Sequence, residues 1–298
     1  MKYFASAILL FAVLIGATFG APTDKPVKGA HFDRIVAIIF ENANYDEAIQ
    51  QPYLQDLINR TDGLLLSNYH GPNYIATIFG STAGITDDGA HNLPDVNLVD
   101  LLEAKQISWK GYMETYPGNC FNGTFAPSQT NQSYARKHNP FINMQDVITN
   151  PTRCAKIVEL GQLDTDINDK NVPQYAYVVP NQIHDGHGIS ALSIPANLTA
   201  AMEWFQDWFE PKLKEPSFTT NTLFLIYFDE DDPNTTTNHI YAALLGQPVH
   251  PPPDHTDDGN YNHYSFLATV EENWDLGNLG RLDANATLFT KYLKSSNK

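Results

Sequence analysis

The chain alternates between short, wholly apolar runs and longer stretches in which apolar residues recur every three or four positions. Residues 31–40 (HFDRIVAIIF) are β-branched and apolar and stop at Glu41-Asn42; residues 222–228 (TLFLIYF) stop the same way at Asp229-Glu230-Asp231-Asp232. Runs of this kind, bounded by polar residues, predict strands buried on both faces. Residues 107–113, 175–179 and 239–245 predict three more. Residues 46–60, 96–106, 197–214 and 264–274 have a helical period instead. The first of these places Ala48, Leu54, Leu57 and Ile58 on one side; the third carries Trp204, Phe205 and Trp208 and opens at Pro195-Ala196-Asn197. Strands alternating with helices predict an α/β fold with a largely parallel sheet flanked by helices on both faces.

Two stretches lack either period. Residues 115–150 are polar and Asn-rich, and residues 247–262 hold Pro251-Pro252-Pro253 and several aspartates. Both are expected to be cap or lid insertions on a single domain spanning 21–298. A third irregularity is HGPNYIATIFGSTAGITDDGAH, residues 70–91, where Gly80-Ser81-Thr82 follows an aromatic and β-branched run. A tight turn there would expose the Ser81 hydroxyl at an element boundary, the place of a nucleophile or of an ordinary loop.

The first twenty residues, MKYFASAILLFAVLIGATFG, have an early lysine, an apolar middle and small residues at the end, the pattern of a secretory signal peptide cut before Ala21. No other stretch is long and apolar enough to span a bilayer, so no stable membrane anchor and a secreted location, extracellular or cell-wall, are expected. Sequons for N-linked glycans stand at Asn59, Asn122, Asn131, Asn197, Asn234 and Asn285, while Asn150 is excluded by Pro151. In an oxidising compartment the two cysteines, Cys120 and Cys154, favour one disulfide over two free thiols. The formal charge of −16 argues against nucleic acid as a partner but permits a small phosphorylated substrate, which needs only local positive charge.

In an open α/β sheet, ligands bind beyond the carboxyl ends of the strands. If the strands ending in Glu41-Asn42 and Asp229-Glu230 are neighbours, three carboxylates and an amide converge. Unit charges 4 Å apart repel by about 4 kcal/mol per pair at an effective dielectric of 20, a cost that a divalent cation removes. Histidines supply further chemistry in Lys137-His138-Asn139-Pro140-Phe141, in Pro180-Asn181-Gln182-Ile183-His184-Asp185-Gly186-His187-Gly188, and in Asn262-His263-Tyr264-Ser265 at a helix start. Imidazole can hold a phosphate oxygen or protonate a leaving group.

These patterns, with Phe40-Glu41-Asn42, Tyr45, Pro72-Asn73-Tyr74 through Gly80-Ser81, Val179-Pro180-Asn181 and Phe228-Asp229-Glu230, occur in an order that resembles the secreted fungal-type acid phosphatases of the phosphoesterase and phospholipase C family, in the alkaline-phosphatase-like superfamily. The resemblance runs from about residue 32 to residue 289. It implies a phosphoric monoester hydrolase with one divalent metal ion held by Glu41, Asn42, Ser81, Asp229 and Glu230. Ser81 is then the nucleophile that forms a phosphoserine, with His187 and His263 catalytic at the phosphate or leaving group. Asn42, Lys137, His138 and His184 are the implied phosphate-binding set. The chain departs from the family where Ile78-Phe79 precede Gly80-Ser81 and where Gly188 follows His187. A phospholipase C-like phosphodiesterase with the same centre, and a non-catalytic secreted glycoprotein binding phosphorylated ligands, are the alternative readings.

Overall fold

In a computed structural model of the chain, residues 26–124, 133–188, 196–231 and 237–295 are described. The leader and the sequons at Asn131 and Asn234 lie outside them. The strands are β1 (Arg34–Phe40), β2 (Gly63–Leu66), β3 (Tyr69–His70), β4 (Trp109–Met113), β5 (Ile157–Glu159), β6 (Tyr175–Val179), β7 (Thr222–Phe228), β8 (His239–Ile240), β9 (Ala242–Leu245), β10 (Thr256–Asp257) and β11 (Tyr261–Asn262). The α-helices are α1 (Tyr45–Ala48), α2 (Pro52–Ile58), α3 (Ala76–Phe79), α4 (Leu98–Ala104), α5 (Gln145–Ile148), α6 (Pro151–Cys154), α7 (Gln162–Asn168), α8 (Leu198–Lys212), α9 (Pro216–Thr219) and α10 (His263–Asn273).

Eight strands form one sheet in the order β10-β2-β9-β7-β1-β6-β4-β5, and only β9 runs antiparallel to its neighbours. This is the expected α/β architecture. β1 and β7 pair in parallel from Arg34 against Thr222 to Phe40 against Phe228, so their carboxyl ends are level. β6 lies on the other side of β1, also parallel. The chain leaves β1 for β2 on one side and later builds β4, β5 and β6 on the other, which places a topological switch point at β1.

Both faces of the central strands are covered, because alternate residues point to opposite sides. Phe40 packs on Phe205 and Phe224 on Phe209, both rings from α8. Tyr227 and Tyr175 pack on Phe266 of α10 across the other face. All of β1 after Arg34 and all of β7 are buried, as their unbroken apolar runs require.

Three predicted elements are divided. The helix expected over 46–60 is broken at Pro52, which starts α2 while Gln51 before it stays extended. The strand expected over 239–245 splits at Tyr241, leaving β8 in a small sheet with β3 and β11 and β9 in the large one. The stretch 115–150 is more than a polar cap: Arg136, His138, Asn139, Phe141 and Ile142 are buried. Cys120 and Cys154 are disulfide-bonded, tying this stretch to α6. Within 247–262, β10 and β11 each add to a sheet.

Candidate functional site

The level ends of β1 and β7 bring Glu41 and Asn42 beside Asp229 and Glu230. Asp229 N–H donates to the Phe40 carbonyl at 2.9 Å, continuing the ladder by one residue, and Asn42 N–H donates to Asp229 Oδ1 at 3.1 Å. Asn42 sits at φ +24°, a bend out of the strand that an asparagine tolerates better than most residues. β6 supplies the third strand end: Glu41 N–H donates to the Asp185 carbonyl at 3.0 Å, drawing the 181–188 turn against β1.

Glu41 is the hub. Its Oε2 accepts from His187 Nδ1 at 2.8 Å, its Oε1 lies 3.0 Å from His138 Nε2, and Lys137 Nζ is 4.0 Å away. His138 turns its Nδ1 toward Asp185 Oδ2 at 3.7 Å and stacks on Tyr74, ring centroids 5.2 Å apart. Burial alone would raise the Glu41 carboxyl, but His138, His187 and Lys137 together hold it well below the usual carboxylate range. The opposite holds for its neighbours. Asp229 and Asp185 are pushed well above that range, by burial first and then by the charge of Glu41; Glu230 is raised for the same two reasons.

A cavity of about 160 Å³ opens over these groups. Its walls include Glu41, Asp229, Glu230, Lys137 and His138, together with Asn73, Tyr74 and the 85–89 segment. Several buried polar atoms around it lack a protein partner: Asn42 Oδ1, Asn73 Oδ1, Tyr74 Oη and Asp185 Oδ2. Buried polar groups are seldom left unpaired. Oxygen donors crowded beside carboxylates that resist ionising together suit a hard divalent cation. Among the described residues, Glu41, His138 and Asp185 place ligand atoms within 4.8 Å of one another. The chemistry of the donor set therefore fits a metal ion, and this triad joins Glu41 to His138 and Asp185 and leaves out the Asp229 and Glu230 expected from sequence.

Other predicted site residues lie elsewhere. Ser81 follows Gly80, the left-handed C-cap of α3, and its Oγ accepts from Ala83 N–H at 3.1 Å. The cavity meets the opposite end of this helical segment, at Asn73 and Tyr74, and Ser81 does not line it. Among the described residues, Thr86 is the Ser or Thr in its lining. His263 is fully buried, 3.3 Å from Tyr69 Oη and edge-on to the Tyr227 ring; burial pushes its pKa down to about 3, the Asp229 backbone opposing in part. The helix start at α10 does not present free N–H groups to an anion, since Asn262 Oδ1 accepts from Tyr264 and Ser265. His184 donates to Glu114 at 2.8 Å and stacks on Trp204, also away from the cavity.

His187 is different. Its side chain is 39% exposed, and the bond to Glu41 raises its pKa against the effect of burial. Asp185, Tyr74 and Asp88 are site residues that sequence patterns did not single out. Asp185 and Tyr74 sit inside motifs that were visible, and Asp88 lies in the 70–91 stretch without a role attached to it.

The sequence profile of the Phosphoesterase family matches residues 57–277. Among curated proteins, the chain is 36% identical to a "Probable acid phosphatase" of Kluyveromyces lactis, covering 94% of this chain and 67% of that one. It is 34% identical to an "Acid phosphatase" of Aspergillus fumigatus, covering 88% and 59%. The chain thus spans about two thirds or less of these relatives. Among solved structures, a protein of the alkaline phosphatase superfamily from Vibrio parahaemolyticus superposes with a TM-score of 0.54 at 13% identity, over 91% of this chain and 79% of that one. That likeness is one of fold.

Proposed function

The chain belongs to the phosphoesterase family, and from that premise we propose that it is a phosphatase of acid phosphatase type, hydrolysing phosphate monoesters in the cavity above β1 and β7. The observation that carries this reading is the convergence of Glu41, Asp229 and Glu230 with Lys137 and His138 on one switch-point cavity, with His187 hydrogen-bonded to Glu41. Acids alone would repel a phosphate, and cations alone would not hold a metal; a phosphoesterase needs both within reach.

Glu41, Asn42 Oδ1, Asp229 and Glu230 are the donors for one divalent ion, which when bound would supply Lewis-acid polarisation of a phosphoryl oxygen. The side chains account for the remaining work. Lys137 carries positive charge to the cavity wall and attracts the phosphate. Tyr74 Oη and Asn73 border the same space. His187, held by Glu41 through Nδ1, has Nε2 left to offer a proton to the leaving oxygen. The serine route assigns the attack on phosphorus to Ser81 Oγ, which requires the 80–83 turn to bring that hydroxyl to the cavity from the far end of α3. Acid quench during turnover of labelled substrate tests that step. Label on Ser81 supports it, and an unlabelled active enzyme assigns the attack to another oxygen.

Export is part of the proposal. The Cys120–Cys154 bond suits an oxidising compartment, and Asn59, Asn122, Asn197 and Asn285 are all exposed. Among the described residues no helix is long and apolar enough to cross a membrane. The cavity mouth carries Asp87 and Asp88 rather than an apolar rim, which weighs against a lipid surface as substrate. The test is p-nitrophenyl phosphate turnover at about pH 5, near the range in which carboxylates begin to protonate. Turnover that a chelator removes and a divalent ion restores is the expected result. No turnover under any metal would overturn the reading in favour of a phosphate-binding glycoprotein.

A further inference from the structure

Asp88 stands where the cavity meets solvent. Its side chain is 80% exposed, and Oδ1 lies 3.4 Å from Lys137 Nζ. Lys137 Nζ is also 4.0 Å from Glu41 Oε2, so this lysine is held between two carboxylates. Asp87 belongs to the same wall and is fixed there, its Oδ1 accepting from Gly89 N–H and from His91 Nε2, each at 2.8 Å. Deeper in the cavity lie Glu41, Asp229 and Glu230, and the buried Tyr74 brings in an Oη with no protein partner.

A phosphate drawn to the base of this cavity leaves its ester group at the mouth, between Asp87 and Asp88. An anionic leaving group is repelled there, and a neutral one gains nothing. An ammonium is attracted. The incoming phosphate also competes with Asp88 for Lys137, and an ammonium on the same substrate can take the partner that Asp88 loses. The exchange conserves charge pairing on both sides.

Building on the phosphomonoesterase reading, we propose that Asp88 is a specificity determinant that selects phosphate monoesters of amino alcohols, with the ammonium against Asp87 and Asp88 and the phosphate against Lys137. The net charge of −16 favours cationic substrates wherever they approach, so the change on substituting Asp88 carries the test.

The experiment compares kcat/KM for phosphocholine and for 3,3-dimethylbutyl phosphate, which has the same shape without the charge. It uses the wild type, Asp88→Asn and Asp88→Lys, with p-nitrophenyl phosphate as a third ester. The wild type should prefer phosphocholine by about two- to fivefold at low salt, the size expected of an exposed charge pair. The preference should shrink as ionic strength rises, fall toward one in Asp88→Asn, and invert in Asp88→Lys. A wild-type ratio at or below one, or a ratio unchanged in both variants, with p-nitrophenyl phosphate still turned over, overturns this inference and leaves the phosphatase reading standing. No turnover of any of the three esters overturns both.

Discussion

At the scale of single residues, the site is organised around His138, which sits between two buried carboxylates. One ring nitrogen is 3.0 Å from Glu41 and the other 3.7 Å from Asp185, with the ring face stacked on Tyr74. Removing one partner of a buried ionic group costs about 3–5 kcal/mol, because the other is left uncompensated. His138→Ala should therefore lower the unfolding free energy by about that amount in urea titration, and His138→Gln, which can still donate, should recover part of it. A loss below about 1 kcal/mol, the range of an exposed ion pair, would show that Glu41 does not depend on His138. The placement of Glu41, Asn42, Asp229 and Glu230 at strand ends was legible in the sequence because polar residues directly after wholly apolar runs stand out. Asp185 was not singled out, since its approach to Glu41 depends on a backbone bond between β1 and a distant turn. Ser81 was conspicuous for the opposite reason. Its Gly-Ser turn is a strong local signal, but the 75–80 helical segment separates it from the cavity.

At the scale of elements, the registers of β1, β6 and β7 bring the functional loops together, and a neighbouring glycine lets the small sheet approach. Gly71, just after β3, has its backbone against Asp229: a Cβ there would lie 1.9 Å from the Asp229 carbonyl oxygen and 2.9 Å from Ile240 Cδ1. Main chain cannot yield as a flexible side chain can. Gly71→Ala should lower stability by about 1–3 kcal/mol or more and displace Asp229. The expected readout is a lower Tm together with weaker metal dependence of turnover. A variant with wild-type Tm and activity would show that β3 and the Asp229 turn are not in close contact. The central strands and the two long helices were readable because burial imposes a clear period on them. The split at Tyr241 was not. Residues 240–245 are apolar throughout, and the division of the 239–245 run between two sheets is set by partners far away in sequence. For 115–150, polar composition masked a segment anchored by Arg136, whose guanidinium bonds to the His91 and Ile142 carbonyls and to Asn143.

At the scale of the whole molecule, pH acts on stability through identifiable buried acids. Glu271 on α10 is 3% exposed, and burial, then the neighbouring Asp283, push its pKa up to about 8. A carboxyl whose folded pKa exceeds its unfolded one binds its proton more tightly in the native state. Stability from that proton is complete below the unfolded value near pH 4.5 and declines as pH rises toward 8. Glu271→Gln should raise Tm at pH 7.5 and leave it nearly unchanged at pH 4; an equal shift at both would contradict the assignment. The central claim concerns the acids above β1 and β7, and Asp229→Asn tests it most directly. Burial and Glu41 already favour the neutral form of Asp229, so its neutral isostere should preserve the fold while removing a charge needed for a divalent ion. With Tm unchanged and divalent metal in excess, kcat/KM on p-nitrophenyl phosphate should fall by on the order of a hundredfold or more, the scale of lost transition-state charge stabilisation. Activity within about tenfold of the wild type, less than the loss of one such stabilising group, would contradict the placement of the catalytic centre in this cavity.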